Sequence, residues 1–141
     1  MSVRRLAPKE LQPASFTFSE ESLAWAKQQI GKYLIKLDVE GVEIDAIKGG
    51  ARLLAGDSVI ICEEHGNDSN HTVSRYILEQ TPLKLIVHDP GSNRLETVSE
   101  LSILDRIKVS THVGYNVFGT ASAFWLARID ALNAKAARRV Q

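Results

Sequence analysis

Two short apolar runs, separated by a segment of helical length, constrain the fold of this 141-residue chain more than any other feature. The first run covers residues 33–38. The second covers residues 58–63 and is too apolar for a half-exposed strand. Between them, residues 42–54 repeat apolar side chains such as Ile44 and Ile47 at helical spacing. Strand, helix and strand joined by short connections predict an α/β fold with a parallel sheet built from right-handed crossovers.

The remaining segments continue this alternation within one domain. Residues 1–16 carry two prolines and predict an irregular lead-in, whereas residues 17–141 predict a single α/β domain. Gly49 and Gly50 lie inside the second predicted helix, where glycine costs helix stability, so we expect close packing or an early break there. The predicted helices lie at residues 17–30, 42–54, 71–80 and 121–141, and the predicted strands at residues 33–38, 58–63, 83–88 and 115–118. Residues 94–98 could return as a short strand, and residues 99–107 are ambiguous, with a short helix favoured.

Composition argues against several classes of protein. The chain has 17 basic and 17 acidic residues, so its zero formal charge gives no reason to expect binding to nucleic acid or to an anionic membrane. No apolar stretch approaches the length of a membrane span, and the first residues lack the apolar core of a secretory signal. The one cysteine, Cys62, suits a reducing compartment and is best interpreted as a small buried side chain. We therefore expect a cytoplasmic protein.

Polar side chains lie where the two central strands end. The first strand ends in Lys36, Asp38 and Glu40, which the strand period of two places on one side. The second ends in Glu63 and His65 with the same spacing. Ligands in open α/β sheets gather at the carboxyl ends of strands, and carboxylates at the tip of an apolar strand are costly unless something uses them. If the two strands are neighbours, these side chains line one cleft.

The same residues resemble the FkbM-type S-adenosylmethionine-dependent methyltransferases. Residues 35–41, Ile-Lys-Leu-Asp-Val-Glu-Gly, and residues 47–50, Ile-Lys-Gly-Gly, are similar to that family's Ile-Lys-Ile-Asp-Val-Glu-Gly and the Leu-Lys-Gly-Ala behind it. At the right distance, residues 59–65 are similar to the family's apolar strand ending in Glu-x-His. The resemblance covers residues 33–87 well and the remainder loosely.

The resemblance implies a Rossmann-like methyltransferase fold. It also implies that S-adenosylmethionine is the cofactor and that the acceptor is a hydroxyl of a sugar or another small metabolite. The sequence contains no Gly-x-Gly-x-x-Gly loop, and nothing before Tyr33 supplies the strand and glycine-rich loop with which the family holds its cofactor. We therefore expect a truncated domain, its C-terminal half. It would be a fragment, a truncated gene product or a part completed by another subunit.

Methyl transfer to a hydroxyl gives predicted roles to four residues. Because a base near the acceptor holds its proton, we assign His65 and Asp38 to catalysis, and Glu40 and Glu63 to contacts with acceptor or cofactor. Plainer interpretations stay open: backbone hydrogen bonds for Asp38, the first turn of the next helix for Glu40, and a solvated loop for His65. The same groups could bind a divalent ion, but a close ligand pair is absent from the sequence and we expect no metal.

A second hypothesis is a non-catalytic α/β remnant, or interaction module, that binds no cofactor. A sheet that lacks its first strands leaves an open apolar edge, which invites pairing with another copy of the chain. Titration with S-adenosylmethionine separates the two hypotheses.

Overall fold

The computed structural model describes the backbone of residues 2–5 and 13–15, and residues 31–138. The helix predicted at residues 17–30 lies outside the described residues. In the described part, seven strands form one mixed sheet in the order β2-β1-β3-β4-β7-β5-β6. The strands are β1 (Ser2–Arg5), β2 (Pro13–Ser15), β3 (Tyr33–Leu37), β4 (Ser58–Glu64), β5 (Lys84–Asp89), β6 (Arg94–Thr97) and β7 (Tyr115–Thr120).

The predicted parallel pairing is confirmed for β3 and β4, but the sheet as a whole is mixed, because β7 enters it antiparallel to both of its neighbours. β3 and β4 pair in parallel, but β7 pairs antiparallel with β4 on one side and with β5 on the other. The physical reason is a single reversal of the chain at residues 89–93, where β5 turns back into β6. The next connection contains a helix and preserves the reversed direction, so β7 runs against β3, β4 and β5. The α/β class is confirmed, and the sheet is compatible with a Rossmann-like fold.

The turn that causes this reversal is held by Asp89. Its carboxylate accepts hydrogen bonds from the backbone N–H of Gly91 at 2.8 Å and from the hydroxyl of Ser92 at 3.1 Å. These bonds and the nearby Arg106 guanidinium hold the pKa of Asp89 below its usual value. Asn93 completes the turn in the left-handed conformation (φ 53°), which asparagine tolerates better than most residues.

The helices in the described part follow the predicted order. They are α1 (Glu43–Gly49), α2 (Ala51–Leu54), α3 (Thr72–Gln80), α4 (Ser102–Ile107) and α5 (Ala123–Arg138). The early break expected at the two glycines is confirmed, since Gly50 separates α1 from α2. The C-terminal helix buries none of its described residues, and its Leu132 is exposed.

One face of the sheet, called the core face below, carries the main hydrophobic core. Alternate residues of the central strands, such as Ile35, Cys62 and Val117, point to this face and are fully buried. They pack against Ile47 of α1 and Ile77 of α3. Residues in the opposite phase face the other side, called the second face, where Ile61 and Phe118 lie opposite each other and are only half-buried.

Both outer edges of the predicted domain are covered within the chain. β1 pairs with β3 along the edge that was expected to be open, so the predicted irregular lead-in contributes two short strands. At the other end, the Asn133 side chain of α5 accepts a hydrogen bond from the Leu95 N–H at 2.9 Å and donates one to the Leu95 carbonyl at 2.8 Å. These two bonds satisfy the outward backbone groups of Leu95 on edge strand β6. In the described part of the chain, no helix is long and apolar enough to cross a membrane.

Candidate functional site

The carboxyl ends of β3 and β4 lie side by side. The two strands pair in parallel with Leu37 opposite Cys62. Continuing this register by one residue places Asp38 beside Glu63. The two strands are therefore neighbours, as the argument from the sequence assumed, and their polar tips meet at one edge of the sheet.

Four polar side chains, called the polar row below, follow this edge across the second face. Glu63 of β4 lies opposite Asn116 of β7. The register of β7 with β5, continued by one residue, places Asn116 opposite His88. The polar row therefore runs from Asp38 through Glu63 and Asn116 to His88, across four adjacent strands. Sequence reasoning found its first two members and missed the others, because the pairing of β7 between β4 and β5 was not foreseen.

The predicted residues at the β3 tip lie at the surface. The Asp38 side chain is 70% exposed, and its Oδ2 lies 3.6 Å from the Lys36 Nζ, an exposed ion pair. Among the described residues no backbone amide donates to Asp38. Glu40 is exposed in the turn around Gly41 (φ 78°) and precedes α1, so it does not lie in that helix's first turn. Both carboxylates are accessible to a ligand.

At the β4 tip, Glu63 and His65 are also exposed. His65 follows the last residue of β4, and its carbonyl accepts a hydrogen bond from the Asp68 N–H at 3.1 Å in the turn beyond the strand. Among residues 31–138, no hydrogen bond or ion pair joins His65 or Glu40 to Glu63 or Asp38. The structure therefore brings Asp38 and Glu63 to adjacent strand tips. Among the described residues, Glu40 and His65 form no hydrogen bond or ion pair with them.

Two glycines let the segment between α4 and β7 close over the end of β4. A Cβ on Gly66 would collide with the carbonyl oxygens of Ser110 and Val113, and a Cβ on Gly114 would collide with the Glu63 carboxylate. A larger residue at Gly66 would push this segment away from the strand tip, whereas one at Gly114 would displace the exposed Glu63 side chain. The close approach places Glu63 against the start of β7, on the same side as a pocket of about 300 Å³.

On the core face, the neighbour of Glu63 makes a buried polar contact that sequence reasoning missed. Glu64 is 1% exposed, and its Oε2 accepts hydrogen bonds from the Ser74 N–H at 2.8 Å and the Ser74 hydroxyl at 2.6 Å. These bonds tie the end of β4 to the first turn of α3. The signal was available, because the strand period of two places Glu64 on the same face as Cys62.

A buried histidine joins three elements beside this contact. His71 is 2% exposed and precedes α3 in a left-handed conformation (φ 48°). Its Nε2 lies 3.0 Å from the Asp105 carboxylate of α4, and its Nδ1 lies 3.2 Å from the Tyr115 hydroxyl of β7. A carboxylate only accepts, so in the neutral imidazole Nε2 donates to Asp105 and Nδ1 accepts from Tyr115. No local pattern predicts this contact, because its members are far apart in the sequence.

The pKa values of the two partners of His71 are shifted in opposite directions. Hydrogen bonds from Lys108 and from His71 hold the pKa of Asp105 below its usual value. Burial raises the pKa of Tyr115, and the nearby carboxylates Glu64 and Asp105 raise it further. At neutral pH Asp105 is therefore the acceptor of this network and Tyr115 is a protonated donor.

Cys62 is buried, as expected from its position in the strand. Burial raises its pKa to about 12, with further contributions from the carboxylates of Glu43 and Glu64. The thiol is thus protonated at neutral pH and is a poor nucleophile. Among the described residues, no group of three or more His, Cys, Asp or Glu side chains is arranged to hold a metal ion.

The fold and the polar row define an α/β protein with a row of accessible polar groups at one edge of its sheet, formed by the carboxyl ends of β3, β4 and β5 and the amino end of β7. No family model matches the chain, and no solved structure matches it. It is 61% identical to a component of an NADH-quinone oxidoreductase from Rhizobium meliloti (strain 1021) over 33 residues, which make up 23% of this chain and 12% of that protein. So short a match does not carry that protein's family to this chain, and the FkbM resemblance stays a prediction.

Proposed function

We propose that this chain is the acceptor-side part of an S-adenosylmethionine-dependent methyltransferase domain. In this proposal it acts on a hydroxyl of a sugar or another small metabolite. The observation that carries the proposal is the parallel pairing of β3 with β4, whose register places Asp38 beside Glu63. These tips belong to the two runs that resemble the FkbM-type signature. A cleft at the carboxyl ends of adjacent parallel strands is also where α/β enzymes bind their ligands.

In the proposed reaction the protein aligns the cofactor with the acceptor hydroxyl and provides a base for the proton of that hydroxyl. Bound S-adenosylmethionine supplies a methyl group on a cationic sulfur, which takes the electron pair of the broken S–C bond as the acceptor oxygen forms the new C–O bond. The carboxylate of Asp38 or the imidazole of His65 takes the proton that this hydroxyl releases. Glu40 and Glu63 hold the reacting groups in line by hydrogen bonds and charge.

The residues present suit a cationic cofactor. Asp38 and Glu63 are exposed carboxylates on adjacent strand tips, and the only cation paired with Asp38 in the described part of the chain, Lys36, lies 3.6 Å away in solvent. A positively charged sulfonium or ammonium group between the two carboxylates would be favoured electrostatically. The sequence lacks a Gly-x-Gly-x-x-Gly loop, so we expect this chain alone to bind the cofactor weakly.

The alternative is an α/β module without cofactor binding or catalysis. The observation that favours it is that Asp38, Glu40, Glu63 and His65 are all exposed at the surface. Exposed carboxylates at the ends of strands are compatible with solvated side chains that have no ligand.

Calorimetric titration of the chain with S-adenosylmethionine tests the proposal, followed by transfer of a labelled methyl group to a panel of hydroxylated small molecules. We expect measurable binding that weakens about tenfold, or ~1.4 kcal/mol, in Asp38→Asn and in Glu63→Gln. Asp130→Asn is the matched control, because Asp130 is exposed on α5. Absence of both binding and transfer, with the fold intact, would reject the methyltransferase and leave the non-catalytic module.

A further inference from the structure

The pocket beside the polar row shares residues with it. The pocket has a volume of about 300 Å³ and lies between the end of β5, the start of β7 and the segment at residues 107–114. His88 and Asn116 belong both to its wall and to the polar row. Glu63 reaches its rim at Gly114, where the carboxylate packs against the glycine backbone. The pocket is therefore continuous with the proposed site at its β7 side.

The walls of the pocket are largely apolar. Phe118 contributes a half-buried aromatic side chain from the middle of β7. Val109 and Val113 line the opposite wall and are 86% and 64% exposed, more than any other large hydrophobic residue among those described. A ligand that covered these side chains would remove apolar surface from water, and this burial would contribute to its affinity.

The polar groups that remain free at the pocket suit hydroxyl groups and disfavour an anion. The Lys108 Nζ is already paired with the Asp105 carboxylate at 3.2 Å, and the His88 Nε2 is hydrogen-bonded to the Asn93 side chain at 3.0 Å. In contrast, the Asn116 amide has no hydrogen-bond partner among the described residues. This amide and the Glu63 carboxylate at the rim can together satisfy several hydroxyl groups.

We propose that this pocket binds a single neutral, hydroxyl-bearing ring of pyranose size. The apolar face of the ring lies on Phe118, and its hydroxyls contact Asn116 and Glu63. Ligand pockets range from about 300 to 1,000 Å³, so a volume at the lower end fits one ring better than a chain of rings. That the ring is the methyl acceptor rests on the proposed function, whereas its binding does not.

Titration of the isotope-labelled chain with methyl glucoside, methyl galactoside and methyl mannoside, in the absence of S-adenosylmethionine, tests the proposal by amide NMR shifts. We expect saturable shifts confined to His88, Asn116, Phe118 and residues 107–114 with at least one glycoside. Asn116→Ala should weaken binding about five- to tenfold, the effect of one lost hydrogen bond. Asn70→Ala is the control, because Asn70 is an exposed loop residue outside the pocket.

Cyclohexanol serves as the control ligand, because it has the ring but only one hydroxyl. If it binds as tightly as the glycosides, the site selects for apolar surface and the proposal is wrong. Shifts outside the pocket, equal effects of the two asparagine variants, or no shift with any glycoside would likewise overturn it. Since the cofactor is absent, a failed titration here and a failed cofactor titration are separate results.

Discussion

The core face and the second face of the sheet differ in their polar side chains at the edge where β4 ends and β7 begins. Glu64 and Tyr115, on the core face, each make a hydrogen bond within the fold. Their chain neighbours Glu63 and Asn116 point to the second face, are exposed and have no hydrogen-bond partner among the described residues. One strand position thus separates a bonded polar group from an accessible one.

This difference separates the polar side chains that stabilise the fold from those that are free to bind a ligand. A buried polar group costs free energy unless it is hydrogen-bonded, and in the described part of the chain no buried side-chain nitrogen or oxygen lacks a hydrogen-bond partner. An exposed group is solvated at little cost and contributes little to folding. Mutations on the core face should therefore change the free energy of unfolding, whereas mutations in the polar row should change binding.

The largest effect is expected for Glu64→Ala. Truncation removes the acceptor of two hydrogen bonds from Ser74 and leaves a cavity at a position that is 1% exposed. We expect a loss of about 3 kcal/mol in the free energy of unfolding. Glu63→Ala is the matched control and should change it by less than ~0.5 kcal/mol, because its side chain is exposed. Urea denaturation followed by circular dichroism measures both, and equal losses for the two variants would contradict the separation of the faces.

The next largest effect is expected for His71→Ala. The variant loses the contacts with Asp105 and Tyr115 and places alanine in a left-handed conformation. The expected loss is about 2 kcal/mol, less than for two fully buried bonds because Asp105 is itself 59% exposed. The same denaturation series with His88→Ala gives the comparison on the second face, where one exposed hydrogen bond is lost and a change below ~0.5 kcal/mol is expected.

Glycine at position 71 separates the effect of the lost hydrogen bonds from the effect of the left-handed backbone conformation. His71→Gly removes the same hydrogen bonds but accepts a positive φ without strain. It should therefore be less destabilised than His71→Ala by about 1 kcal/mol. If alanine and glycine are equally harmful, the left-handed backbone is not retained in the variants.

These contacts also mark the limit of prediction from the sequence. The strand period of two, together with the assumption that the two strands are neighbours, placed Asp38 and Glu63 at a common edge, and it would have placed Glu64 inside. The His71 contact could not be predicted in the same way, because its partners come from α4 and β7. Asn116 and His88 were missed for a related reason: one turn at residues 89–93 reverses the chain, and local periodicity does not report which strands then become neighbours.

A smaller effect is expected for Asn133→Ala at the β6 edge. The variant leaves the N–H and the carbonyl of Leu95 without their side-chain partner, although water can replace it there. We expect a loss of about 1 kcal/mol in stability and concentration-dependent self-association measured by analytical ultracentrifugation. Lys135→Ala on the same helix is the control and should stay at the association state of the parent. If the parent chain already self-associates and Asn133→Ala does not increase this, the chains associate through another surface, such as the β2 edge.

The smallest effect on stability is expected at the β3 tip, where a substitution should change ligand binding and leave the free energy of unfolding nearly unchanged. The Lys36 and Asp38 side chains are 55% and 70% exposed and 3.6 Å apart, and exposed ion pairs of this kind contribute less than ~1 kcal/mol. Asp38→Asn should therefore leave the urea midpoint nearly unchanged while it weakens binding of a cationic cofactor. Lys36→Met removes the competing cation and should strengthen that binding modestly. A large loss of stability in Asp38→Asn would instead make this carboxylate part of the structural framework, like Glu64, because solvated charge alone would not explain such a loss.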